Sequence, residues 1–69
     1  MKNVNYNLIK TLHGTLDDVW RLEKYYINDA EKERCESQGV LKTMLQQRKK
    51  DAESLIAAIK MRMDAGTFN

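Results

Sequence analysis

The chain has 69 residues but no proline, one cysteine, one histidine, one tryptophan and three glycines. Without proline, nothing in the chain breaks a helix outright. A lone cysteine, Cys35, excludes an intrachain disulfide, and a thiol without a secretory leader ahead of it predicts a reducing cytoplasm. No window approaches the roughly 18 continuous apolar residues of a membrane span. A single histidine and a single cysteine, with no glycine-rich phosphate loop and no nucleophile elbow, supply no catalytic constellation. The expectation is a protein that is not an enzyme and carries no cofactor.

Charge of one sign is also lacking. Twelve basic and ten acidic residues leave a net +2, less than avid nucleic-acid binding requires. Residues 1–38 carry a net −1 and residues 39–69 a net +3. Two segments of opposite sign can pair with each other, with no external partner.

What is present is helical periodicity. At 100° per residue, Leu8, Ile9, Leu12, Leu16, Val19, Trp20, Glu23, Tyr26, Ile27 and Ala30 fall within roughly 120° of arc, the pattern of an amphipathic helix. This predicts a first helix over about 4–35. The run Glu36-Ser37-Gln38-Gly39 predicts the connection, with a glycine that permits left-handed backbone. A second helix follows over about 40–65, with Leu41, Met44, Leu45, Arg48, Ala52, Leu55, Ile56, Ile59 and Met63 along one stripe and Gly66 as its stop.

Two helices joined by a short loop must lie antiparallel, so the fold class is an all-α helical hairpin forming a single domain. A chain this short buries a modest share of its surface, and one hairpin leaves much of each apolar stripe uncovered. Two hairpins packed face to face would cover both stripes, so the expected assembly is a homodimer forming a four-helix bundle. A groove on a different protein is the alternative cover.

Glu23 stands out as a carboxylate on the expected inward face. Its expected partner is Arg48, central in the second stripe, and such a pair can fix register without adding stability. Trp20 and Tyr26 are expected in the core. Leu22 and Tyr25 point away from it and are the candidates for contact with a protein partner. His13 lies at the edge of the apolar arc, and no second histidine exists to complete a metal site. Lys42, Lys49, Lys50 and Lys60 form a loose basic stripe, the candidate nucleic-acid contacts, although a solvated face balancing the acidic end of helix 1 explains them as well.

The segment Leu22-Glu23-Lys24-Tyr25-Tyr26-Ile27-Asn28-Asp29-Ala30-Glu31 resembles the first helix of a ferritin-like or rubrerythrin-like hairpin, with an inward glutamate ahead of an aromatic and a small residue. Lys50-Asp51-Ala52-Glu53-Ser54-Leu55 is similar in register to the second. The resemblance implies the hairpin architecture, half of a ferritin-like bundle. Where that family places Glu-x-x-His, this chain reads Arg48-Lys49-Lys50-Asp51, so the resemblance implies no metal centre and no oxidase or storage activity. Three functional expectations follow. The first is a cytoplasmic interaction or scaffold protein acting as a homodimer. The others are a Rop-type RNA-binding hairpin dimer and a degenerate metal-carboxylate protein centred on Glu23.

Overall fold

The computed structural model describes residues 2–68. It is an antiparallel helical hairpin, 49 × 16 × 14 Å. Its first arm consists of α1 (Asn3–Arg21), one turn of π-helix (Leu22–Tyr26) and α2 (Ile27–Lys32), continuous along one axis. After a tight turn at 33–36, α3 (Ser37–Asp64) runs back along the whole first arm.

The contact between the arms is a narrow seam. On the first arm it takes Asn5, Leu8, Leu12, Thr15, Val19 and Leu22, alternating steps of three and four, each buried or half-buried. On α3 it takes Leu41, Leu45, Arg48, Ala52, Leu55, Ile59 and Arg62 in the same rhythm. This is the seam of a two-stranded coiled coil, in which a helix with one neighbour can cover only two positions in seven. The apolar arc of the sequence is wider than that, which is why Trp20 and Tyr26, expected inside, are about half exposed.

The π turn follows from the same seam. Continued without interruption past Leu22, the three–four rhythm would bring Tyr26, Asp29 and Glu33 against α3. The amide of Ile27 instead donates to the carbonyl of Leu22, five residues back, and the wider turn inserts one residue. Ile27 and Ala30 then take the seam and both are buried. Leu22, Ile27 and Leu45 form the packed core at the turn end, flanked by Val19 and Leu41. Leu22, expected to face outward, is therefore 5% exposed and belongs to the core.

The turn lies three residues earlier than expected, at 33–36, and Gly39 sits inside α3. The first arm ends in a Schellman motif: the Cys35 amide donates to the Ala30 carbonyl and the Arg34 amide to that of Glu31. The left-handed position is filled by Arg34, φ 54°, where glycine is usual. Arg34→Gly is therefore expected to stabilise the protein by about 0.5–1 kcal/mol, since relief of backbone strain outweighs the added freedom of the unfolded chain. A rise in the thermal midpoint checks this. The second arm ends as its sequence indicates, with Gly66 at φ 72° and the Thr67 amide bonded to the Arg62 carbonyl.

Far from the turn, polar contacts close the open end. Asn5 is fully buried. Its side-chain amide donates to the Thr67 carbonyl at 3.0 Å, and its oxygen accepts from the Arg62 guanidinium. Asn5→Ala would strand these partners and is expected to cost about 1–3 kcal/mol. Faster amide exchange at both chain ends, with little change near the turn, is the accompanying signature.

Candidate interaction surface

The two flanks of the seam differ in chemistry. One is lined by charge and hydroxyls. The Arg48 guanidinium reaches Asp18 at 3.7 Å and Asp51 at 3.1 Å. Thr11, Thr15, Asp51, Ser54 and Leu55 line a shallow groove beside it. Thr15 is buried, but its hydroxyl donates to the Thr11 carbonyl at 2.8 Å, so it asks nothing of a partner. Toward the turn the same flank holds a cleft of about 230 Å³ between Asp18, Leu22, Tyr26, Leu41, Met44 and Arg48.

The other flank is built on heptad rows. Ile9, Leu16 and Glu23 are seven apart on the first arm, and Lys49, Ile56 and Met63 are seven apart on α3, so each row holds one side of its helix. The Glu23 carboxylate meets the Lys49 ammonium at 3.0 Å, which places both rows on the same flank. Glu31 and Lys42 approach to 4.0 Å and extend them toward the turn. Glu31 follows Glu23 by eight residues, the extra one being that inserted by the π turn. Along this flank, then, the half near the turn is charged, with glutamates on the first arm and lysines on α3. The half near the open end is apolar: Ile9, Leu16, Ile56 and Met63, with Trp20 at the boundary, are 40% to 58% exposed.

Trp20 also leans on Tyr25, edge to face, with ring centroids 5.3 Å apart. In an α-helix, residues five apart point about 140° away from each other. The π turn that follows Trp20 brings the two rings together. Tyr25 is half exposed, whereas Leu22, expected to face outward beside it, is buried.

The expected Glu23–Arg48 pair does not form. The earlier turn brings Arg48 nearly level with Glu23, but Glu23 lies on the opposite flank of the seam from Asp18 and Asp51, the acids that hold Arg48. Its own side chain is about half exposed, not inward. Ion pairs this open to water contribute up to about 1 kcal/mol. Of the basic candidates, Lys42 and Lys49 are engaged with Glu31 and Glu23, while Lys50 and Lys60 face solvent. Among the described residues no group of three or more His, Cys, Asp and Glu side chains is placed to hold a metal ion, and His13 is exposed. Among the described residues, no helix is long and apolar enough to cross a membrane.

Among the described residues, Cys35 and Arg21 are shifted in their ionisation. Cys35, exposed in the turn, accepts hydrogen bonds from the Ser37 hydroxyl at 3.1 Å and the Ser37 amide at 3.5 Å, which lower its pKa by favouring the thiolate. The Arg21 guanidinium is held further in its charged form by the Tyr26 hydroxyl and by Asp17, 3.0 Å away.

The surface carried by the hairpin is large for its mass. A compact chain of 8.1 kDa exposes roughly 4,500 Å². This one exposes 5327 Å², an excess close to the roughly 800 Å² that each partner contributes to a stable interface. Comparison with protein families, with curated proteins and with solved structures finds no match to this chain.

Proposed function

We propose that the protein is a small interaction or scaffold protein that works as a homodimeric four-helix bundle, joined through the flank that carries Ile9, Leu16, Trp20, Ile56 and Met63. The observation that carries this reading is the pair of apolar half-rows at heptad spacing beside the seam, Ile9 and Leu16 on the first arm and Ile56 and Met63 on α3, which cover the open-end half of that flank. A helix in an isolated pair needs two apolar positions in seven. A helix in a bundle touches two neighbours and needs a third, on one side. The excess surface is of the size that such a contact removes.

The charged residues fit the same reading. The flank holding Asp18, Arg48 and Asp51 would face water in the dimer, as would Lys50 and Lys60, leaving two outer surfaces on which other proteins could be assembled. Sedimentation equilibrium at micromolar concentration tests the proposal. The expected mass is twice the 8.1 kDa of the chain, and a cooperatively folded monomer at that concentration refutes it.

A further inference from the structure

We infer that the two hairpins of this dimer pack with their turns at the same end, the first arm of each copy against α3 of the other. The inference rests on the dimer reading and on the way charge is distributed along the apolar flank. Near the turn, the first-arm row offers only carboxylates, Glu23 and Glu31, and the α3 row only ammonium groups, Lys42 and Lys49. A two-fold axis parallel to the hairpin sets each first arm opposite the partner copy's α3. Every carboxylate then meets a second ammonium, and the within-chain pairs become four-membered networks.

The apolar halves match under the same operation. The residues of the two arms interleave in height along the hairpin, Leu16 lying between the levels of Lys49 and Ile56, and Ile9 between those of Ile56 and Met63. Rotation about the long axis keeps each level unchanged, so the side chains of one copy enter the gaps of the other.

The opposite arrangement, with turns at opposite ends, reverses the levels. At full overlap it lays Glu23 and Lys49 of one copy on the apolar half of the other, which strips charges of water without giving them partners. Matching the apolar halves in that orientation requires the hairpins to slide apart, leaving only about half their length in contact. The first arrangement satisfies both halves with the full 49 Å available.

Cys35 is the protein's own reporter of this geometry. It is the sole cysteine, exposed, and placed in the turn. With nitroxide labels on Cys35 of the full-length protein, pulsed dipolar spectroscopy is expected to give a label separation below about 30 Å, two helix diameters with the label arms. A separation near or beyond the 49 Å length of the hairpin overturns the orientation and leaves the dimer standing. Absence of any dipolar signal, together with the mass of one chain in sedimentation, removes the dimer and the inference with it. Copper-catalysed oxidation of unlabelled protein at low concentration gives an independent reading. Rapid formation of a Cys35–Cys35 linked dimer is expected, and failure to crosslink under conditions where the dimer mass persists counts against turns at one end.

Discussion

Leu22→Ala is expected to destabilise the protein by about 2–4 kcal/mol, whereas Tyr25→Ala, three residues later, should shift stability by less than about 1 kcal/mol. Leu22 is 5% exposed and sits with Ile27 and Leu45 in the packed cluster near the turn, so truncation removes its transfer energy and leaves a cavity. Tyr25 is 50% exposed, and what it would lose is its edge contact with Trp20. A domain of this size has roughly 3–10 kcal/mol of stability in all. The leucine variant should therefore lose a large share of its helical signal near room temperature, and urea melts followed by circular dichroism measure the difference. Equal effects at the two positions would count against Leu22 being packed in the seam with Tyr25 standing outside it.

Leu16→Glu addresses the assembly and not the hairpin. In a single copy the side chain is about half exposed, so a carboxylate there leaves the seam intact. In the proposed dimer it would be buried twice, once from each copy. Each unpaired carboxylate costs several kcal/mol on transfer to an apolar contact, enough to raise the dimer dissociation constant by about 10³-fold or more. The expected result is a chain that sediments at its own 8.1 kDa at micromolar concentration. Its Trp20 emission should move to longer wavelength, and its melting temperature should no longer depend on protein concentration. Replacing Asp18 on the opposite flank by lysine changes charge but not this interface, and is expected to leave the mass of the dimer unchanged. If Leu16→Glu leaves the mass of the wild type unaltered, the flank is not where the copies meet.

Neither expectation could be drawn from periodicity alone, and the reason is local. Leu8, Leu12, Val19 and Ile27 are on the seam just as the apolar arc indicates. Ile9, Leu16 and Trp20 share that arc but lie outside the seam, because a 100° step per residue locates an apolar side without saying how much of it one neighbour can cover. Leu22 takes the seam three residues after Val19, where the wide apolar arc does not place it, and the residue inserted at the π turn then gives the next seam position to Ile27 in place of Tyr26. Such an insertion has no sequence mark as plain as proline or glycine. It arises from competition between Tyr26 and Ile27 for one place against α3, which exists only once the helices are paired. Glu23 shows the same dependence, since its partner is chosen by the flank on which the paired helices place it. The turn uses Arg34 in a left-handed conformation that glycine would advertise and arginine does not.

By itself, then, the amino-acid order determined two long helices, their antiparallel return, the stop at Gly66 and an apolar surplus too wide for a hairpin alone. These follow from local propensity and from the spacing of side chains along a single helix, which need no knowledge of a neighbour. Only the tertiary structure decided which apolar residues form the seam and which form the flank. It also decided that Glu23 belongs with Lys49, and that Ile9, Leu16, Ile56 and Met63 gather on one flank while Asp18, Arg48 and Asp51 gather on the other. Those choices depend on the register between two helices. Register is set by the best joint packing of both arms and the turn between them, a property of the pair and of neither helix alone.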